Sequence, residues 1–90
     1  MQAPNKFERA IELARPLVDL DPTDAAAQTT LGIAYRETGD HTAARRAFEA
    51  ALQISPFDPA VRCGLEAVYE HLRETKLAQR EREACAGLQQ

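Results

Sequence analysis

The sequence has little of what most active sites and membrane segments require. It contains no tryptophan, only four glycines and two histidines, and neither a glycine-rich phosphate loop nor a G-x-S-x-G motif. No apolar run approaches the roughly 20 residues that span a bilayer, and the first residues do not form a signal peptide. We therefore expect a soluble chain with a cytoplasmic location and no membrane partner, although a longer parent protein would hide an export signal.

An excess of positive charge is also absent. The net charge is −3, and arginines and glutamates are interspersed along the chain, so it presents no basic face to nucleic acid. The 90 residues suffice for one small domain, and 44% of them are hydrophobic and 28% charged. Seventeen alanines favour helix over strand. The composition indicates a small, helical, globular protein that does not bind nucleic acid.

The residues that could support catalysis or metal binding are poorly spaced for either. His41 and His71 have no partner at the i, i+4 or C-x2-C spacing of common metal sites. Cys63 and His71 are eight residues apart, which is about 12 Å along one helix and too far for a hydrogen bond. No third group is evident that would orient a Cys85–His71 pair. We expect solvent-facing histidines, no enzyme activity, no metal and no cofactor.

What the sequence does contain is a period of 34 residues, seen in the spacing of Pro22 and Pro56. The stretch from Ala25 to Asp58 reads L-G-x2-Y, then A-x3-F, then P. These positions are Leu31, Gly32, Tyr35, Ala44, Phe48 and Pro56. The pattern resembles the tetratricopeptide repeat family, with Gln28 in place of the usual tryptophan. The resemblance covers nearly the whole chain from Asn5.

The resemblance implies an all-α, right-handed helical-repeat solenoid of about five antiparallel helices in one domain, residues 1–90. We divide it into a half repeat with the second helix only (5–24), a full repeat (25–58) and a degenerate third repeat (59–90). The helices are predicted near 6–20, 24–38, 41–54, 59–72 and 75–88, with a bend at Pro16. Gly32 is expected where two helices approach closely. The core is predicted to centre on Leu31, Tyr35, Phe48, Leu52, Leu65 and Tyr69.

Cys63 and Cys85 allow two interpretations. A disulfide would close a loop across the last hairpin and indicate an oxidising compartment. Alternatively, the two are small buried apolar residues. Because they lie where small residues pack in this repeat, we favour the second interpretation.

In this family the first helices of the repeats line a concave side that commonly holds a peptide or a partner's helix. The corresponding residues here are Ala26, Thr29, Thr30, Ile33, Arg36, Glu37, Ala60, Cys63, Gly64, Ala67, Glu70 and His71. No lysine or asparagine is among them, so we do not expect the subtype that grips a C-terminal carboxylate. The resemblance thus implies a protein-interaction module or scaffold with a protein or peptide partner. The alternatives are plain solvated surface and a non-catalytic structural or accessory segment of a larger multidomain protein or enzyme.

The half repeat lacks its first helix, so one side of the N-terminal helix should be uncovered. An exposed apolar patch is expected around Phe7, Ala10, Leu13, Ala14, Leu17 and Val18. The last helix, in contrast, has polar outer faces that suit the end of a repeat array. We therefore predict self-association or docking through the N-terminal helix.

Overall fold

The computed structural model describes residues 5–88, which form five α-helices and no strand. The helices are α1 (Lys6–Leu20), α2 (Ala25–Thr38), α3 (His41–Ile54), α4 (Pro59–His71) and α5 (Thr75–Leu88). Each bound lies within one residue of the prediction. None of the described helices is long and apolar enough to cross a bilayer. The all-α helical-repeat prediction is confirmed.

Side-chain caps fix where four of the helices begin. The side-chain oxygen of the residue before each helix accepts a hydrogen bond from a backbone N–H in the first turn, at 2.9–3.1 Å. The capping residues are Asn5, Asp24, Asp40 and Asp58. Each satisfies one of the N–H groups that a helix start leaves without a partner.

The connections after α1 and α3 use the same proline-containing turn. The Gln28 side chain donates to the Pro22 carbonyl at 3.2 Å, and 34 residues later Arg62 Nε donates to the Pro56 carbonyl at 2.9 Å. The side-chain hydrogen bonds to the two proline carbonyls therefore repeat with the same 34-residue period. Inside α1 the helix continues without interruption past Pro16, and the bend expected there stays a prediction.

The helices form two hairpins that turn in the same way. In the first hairpin, α2–α3, Gly39 has a φ of 90°, and the Asp40 N–H donates to the Tyr35 carbonyl at 2.9 Å. In the second hairpin, α4–α5, Arg73 takes the place of the glycine with a φ of 61°, and the N–H that follows donates to the Tyr69 carbonyl at 2.9 Å. Both turns have a residue in the left-handed region, as the ends of many helices do.

Two neighbouring clusters form the core. The larger lies between α3, α4 and α5, and the smaller joins Ala14 of α1 to Leu31 of α2 and Ala47 of α3. The larger contains Ala44, Phe48, Ala51, Val61, Leu65, Val68, Tyr69 and Ala78. Of the predicted core residues, Leu31, Phe48, Leu65 and Tyr69 are buried, whereas Tyr35 and Leu52 pack at the edge.

The Phe48 ring is held between two glycines. A Cβ on Gly32 would lie 2.8 Å from the ring, and a Cβ on Gly64 would lie 2.5 Å from it. Both distances are too short for any side chain, so α2 and α4 approach α3 at points where only glycine fits. The expected close approach at Gly32 is confirmed, and Gly64 plays the same part from the other side.

The interpretation of the cysteines as separate buried residues was wrong. Cys63 of α4 and Cys85 of α5 form a disulfide, and their Cα atoms are 5.0 Å apart. The physical reason is that small residues facing each other across a helical hairpin bring their Cα atoms into the range that a disulfide needs. The features that suit small residues therefore also suit a disulfide at these positions.

Candidate partner-binding groove

The predicted groove residues divide between α2 and α4, and their exposure differs. On α2, Ala26, Thr30 and Glu37 are exposed, and Thr29, Ile33 and Arg36 are half-buried. On α4, Ala60, Glu70 and His71 are exposed, Cys63 and Ala67 are half-buried, and Gly64 is buried. The α2 set therefore presents more of its side chains to a partner than the α4 set.

Two of the α4 residues are occupied within the protein. Gly64 lies against the Phe48 ring and belongs to the core, which corrects its assignment to the groove. Cys63 stays half-buried in the predicted lining, but its sulfur is bonded to Cys85 of α5. Repeat position predicts the side of the helix on which a residue lies. It does not predict whether a neighbouring helix already occupies that side.

An apolar pocket opens between α1 and α2 at one end of the lining. It has a volume of about 310 Å³ and is lined by Lys6, Phe7, Ala10, Thr30, Ile33 and Ala34. Thr30 and Ile33 belong to the predicted groove, whereas the α1 residues were not expected in it. No signal in the sequence could have found them, because Ala10 shares the 34-residue register of the core residues Ala44 and Ala78. The pocket has room for one apolar side chain of a partner, with the ammonium group of Lys6 at its edge.

Charged pairs lie further along the lining on both helices. On α2, Arg36 pairs with Glu37 at 3.2 Å, and both are solvent-accessible. On α4, Glu70 pairs with Arg82 of α5 at 2.6 Å, and Arg82 also contacts Glu66 at 3.1 Å. The hydrogen bond from Arg82 to Glu70, and then the one to Glu66, raise the pKa of the guanidinium. The groove end at Glu70 therefore carries an exposed ion pair.

The two histidines come together, although they are 30 residues apart in sequence. The rings of His41, at the start of α3, and His71, at the end of α4, stack with centroids 4.1 Å apart and planes 8° from parallel. His71 is exposed as expected, but His41 is half-buried, and its Nδ1 has no hydrogen-bond partner among the described residues. The expectation of two solvent-facing histidines was wrong for His41, because the packing of α4 on α3 brings the two helix ends together. Within residues 5–88 no group of three His, Cys, Asp or Glu side chains is placed to hold a metal ion.

Comparison with known families agrees with the geometry. A tetratricopeptide repeat model matches residues 3–59, which is more than half of the chain. The chain belongs to the tetratricopeptide repeat family. The match includes α1, α2, α3 and the proline turns that follow α1 and α3.

Tetratricopeptide repeats generally mediate interactions between proteins, and members of the family are typically non-catalytic. In this tetratricopeptide repeat protein, nearly all of α4 and the whole of α5 lie beyond the matched residues. That region is also where Glu66, Arg73 and Arg82 depart from the repeat pattern. The first hairpin is therefore the part of the chain that follows the family most closely, and it carries the more accessible half of the lining.

Proposed function

We propose that this chain is a non-catalytic protein-interaction module that binds a peptide or a partner's helix along the lining of α2 and α4. The observation that carries the proposal is the apolar pocket between α1 and α2, beside the exposed Thr30 and the half-buried Ile33. A pocket that accepts one apolar side chain, with polar groups around it, is how such surfaces commonly anchor a partner.

The lining also indicates the chemistry of the ligand. Lys6 at the edge of the pocket favours an acidic residue next to the apolar anchor of the ligand. Arg36 and Glu37, further along α2, each keep an exposed part that can contact polar groups of the ligand. On α4 the contact surface would consist of Ala60, Ala67, Glu70 and His71. The half-buried Thr29 and Cys63 would contribute their accessible parts. We therefore expect a ligand with one apolar anchor, an adjacent acidic residue and a polar remainder.

The same proposal includes the division of the chain. The half repeat at 5–24, the full repeat at 25–58 and the degenerate third repeat at 59–90 follow from the shared register of Asp24 with Asp58 and of Pro22 with Pro56. Both aspartates cap helices, and both proline carbonyls accept a side-chain hydrogen bond. These equivalent hydrogen bonds support a repeat boundary before each helix pair.

For the location of the protein, we propose an oxidising compartment in place of the cytoplasm. The support is the disulfide between Cys63 and Cys85, since disulfides form and persist mainly outside the reducing cytosol. Thiol labelling of protein recovered from its native source tests this directly. Unreactive cysteines support the proposal, and free thiols contradict it.

The second candidate is a non-catalytic structural or accessory segment of a larger protein. The observation that favours it is that Cys63, Gly64 and Glu70 of the lining are already engaged within the chain. Under this candidate the lining is ordinary surface, and it would select no peptide.

Selection from a random peptide library displayed on phage tests the proposed function. We expect enriched peptides with an apolar residue next to an acidic one. Thr30→Glu adds a charge at the mouth of the pocket and should weaken their binding at least about tenfold. Thr42→Glu, at an exposed position in the first turn of α3, is the matched control and should bind normally. Failure to enrich any peptide, or equal binding by both variants, would favour the structural candidate.

A further inference from the structure

One face of α1 is uncovered where the same face of α3 is covered. Leu13, Leu17 and Leu20 are 69%, 52% and 86% exposed. The residues 34 positions later, Ala47, Ala51 and Ile54, are 6%, 0% and 39% exposed. α2 packs on α3 in the first hairpin, whereas no described helix occupies the corresponding place on α1. We call Leu13, Leu17 and Leu20 the leucine stripe.

The leucine stripe is distinct from the face of α1 that packs against α2. Residues four and three positions apart share one side of a helix, so the three leucines line up. On the other side of α1, Ala14 is 4% exposed and Val18 is half-buried, and both pack in the core cluster with Leu31. The expectation that Ala14 belongs to an exposed patch was wrong, because α2 and α3 cover it. The helix therefore has two apolar faces, only one of which is buried within the chain.

The size of the exposed side chains indicates what kind of helix would cover the stripe. Ala47 packs beside Leu31 of α2, and Ala51 lies in the cluster of α3, α4 and α5, so small residues occupy these positions where neighbouring helices lie close. Leucines at the equivalent positions hold a neighbouring helix further away. That helix must then carry long apolar side chains to fill the space between the two helices. The leucine stripe is therefore poorly suited to a helix like α2 and well suited to another leucine stripe.

The charges along the stripe are of opposite sign at its two ends. Arg9 lies on the stripe side near the start of α1, and Asp21 and Asp24 follow its end. Lys6 lies between the stripe and the pocket, with its ammonium group 5.0 Å from the centre of the Phe7 ring. Each residue of a helix is rotated by about 100° from the one before it, which places the other charged residues of α1 on the opposite side. These are Glu8, Glu12, Arg15 and Asp19. Hydrogen bonds from the Thr23 side chain and then from its backbone lower the pKa of Asp21, which is fully exposed and stays anionic. An antiparallel copy of α1 would bring the basic end of each helix to the acidic end of the other.

We propose that two copies of the chain associate through the leucine stripe, with their α1 helices antiparallel about a two-fold axis near Leu17. Leu13, Leu17 and Leu20 of each copy are buried in the contact, and Arg9 of one copy lies beside the segment from Asp21 to Asp24 of the other. Such a contact is self-complementary, because a two-fold axis presents the same surface from both sides. It uses Arg9 and the leucine stripe, and it does not involve Thr30 or Ile33 of the pocket lining.

The contact should be weak. One pair of helices buries less than the roughly 1,200–2,000 Å² of a stable interface. We expect a dissociation constant in the micromolar range or above, about 10 µM to about 1 mM. Sedimentation of the full chain across that range of concentration should show a monomer–dimer equilibrium. A strictly monomeric profile at the highest concentration would overturn the proposal.

Two sets of variants distinguish the proposed contact from other modes of association. Leu17→Glu introduces a charge at the axis and should raise the dissociation constant at least about tenfold, with helical circular dichroism unchanged because the position is half exposed. Phe57→Glu is the matched control, because Phe57 is 79% exposed and lies outside α1, and it should dimerise normally. Dimerisation of Leu17→Glu at the original concentration would overturn the proposal.

Charge exchange tests the antiparallel orientation. Arg9→Glu should weaken the dimer by placing like charges together, and adding Asp21→Arg to the same chain should restore it. Restoration occurs only if residue 9 of one copy lies near residue 21 of the other. A double variant that is as weak as Arg9→Glu alone would rule out the antiparallel arrangement.

Discussion

The two hairpins follow the same backbone path but are held together by different interactions. In the first hairpin the Phe48 ring contacts the backbone of Gly32. In the second, the residues 34 positions later are Glu66 and Arg82, and they form an ion pair at 3.1 Å. An apolar contact that requires glycine has been replaced by two long charged side chains at the hairpin surface. The helix positions of this repeat therefore do not depend on one kind of interaction.

A buried ion pair extends the difference. Glu81 is fully buried at the position where the first hairpin has Ala47. Its carboxylate accepts hydrogen bonds from Arg62 Nη1 at 2.9 and 3.1 Å, and Arg80 contacts it at 3.2 Å. A buried carboxylate needs such partners, since an unpaired charge in the interior is very costly. The second hairpin thus contains a polar cluster where the first has alanine.

The disulfide completes the contrast. Cys63 and Cys85 join α4 to α5 at the positions where the first hairpin has Thr29 and Ala51. Closing a loop of this length stabilises a fold by about 3 kcal/mol in the chain-entropy account. We infer that the first hairpin depends mainly on apolar packing, whereas the second adds ion pairs and a covalent bond to its apolar core.

The largest effect is expected at Phe48, which is fully buried between two glycines. Phe48→Ala removes the contact that joins α3 to both α2 and α4 and should lower the free energy of unfolding by about 3–5 kcal/mol. Urea denaturation followed by circular dichroism measures the change. Phe57→Ala, at an exposed aromatic residue, should change it by less than about 0.5 kcal/mol. Equal effects of the two variants would mean that the Phe48 contact is not what holds the first hairpin.

The corresponding change in the second hairpin is at Arg62. Arg62→Met leaves Glu81 buried with only the exposed Arg80 as a partner, and should cost about 3 kcal/mol. Combining it with Glu81→Leu removes the buried charge and should recover most of the loss. A double-mutant cycle in urea gives the coupling. If the double variant is less stable than Arg62→Met, the packing of Glu81 matters more than its charge.

A smaller effect is expected when alanine is placed at equivalent positions of the two hairpins. Gly32→Ala places a Cβ against the buried Phe48 ring and should destabilise the protein by about 1–3 kcal/mol through overpacking. Glu66→Ala is the counterpart in the second hairpin, where the helix already has a Cβ, and it should cost less than about 1 kcal/mol. The midpoints of thermal unfolding should therefore differ clearly. A Gly32→Ala variant more stable than the wild type would show that Gly32 is not at a close contact.

The smallest expected effect is at the turn of the second hairpin. Arg73 has a φ of 61°, which costs a residue with a side chain roughly 1 kcal/mol and costs glycine little. Arg73→Gly should stabilise the protein by up to about 1 kcal/mol, while Gly39→Arg in the first hairpin should destabilise it by a similar amount. Calorimetric unfolding of both variants checks the signs. Destabilisation by Arg73→Gly would indicate that the Arg73 side chain contributes more than its backbone conformation costs.

The helices could be predicted from the sequence because local signals mark their ends. Asp24, Asp40 and Asp58 cap the helices that follow them, and Pro22 and Pro56 lie in the turns between the helices. The contact at Gly32 was also predictable, since glycine inside a helix favours a close approach. These features depend on residues close together in sequence or at a known repeat spacing.

The polar contacts between distant helices could not be predicted in the same way. The disulfide, the burial of Glu81 and the stacking of His41 on His71 depend on which side chains meet across α3, α4 and α5. The repeat pattern predicts where each residue lies on its helix, but it does not predict which side chains of different helices pair with one another. For the candidate groove, repeat position identified Thr30 and Ile33. The contribution of Phe7 from α1 depends on how α1 packs against α2.

Hydrogen exchange with and without a reducing agent tests the contrast between the hairpins most directly. On reduction of the disulfide, we predict that amides in α4 and α5 exchange roughly a hundredfold faster, as expected for a loss of about 3 kcal/mol, while those in α2 and α3 change much less. The variant with both Cys63→Ser and Cys85→Ser should show the same pattern without the reducing agent. An equal loss of protection in both hairpins, or no loss in α4 and α5, would contradict the account.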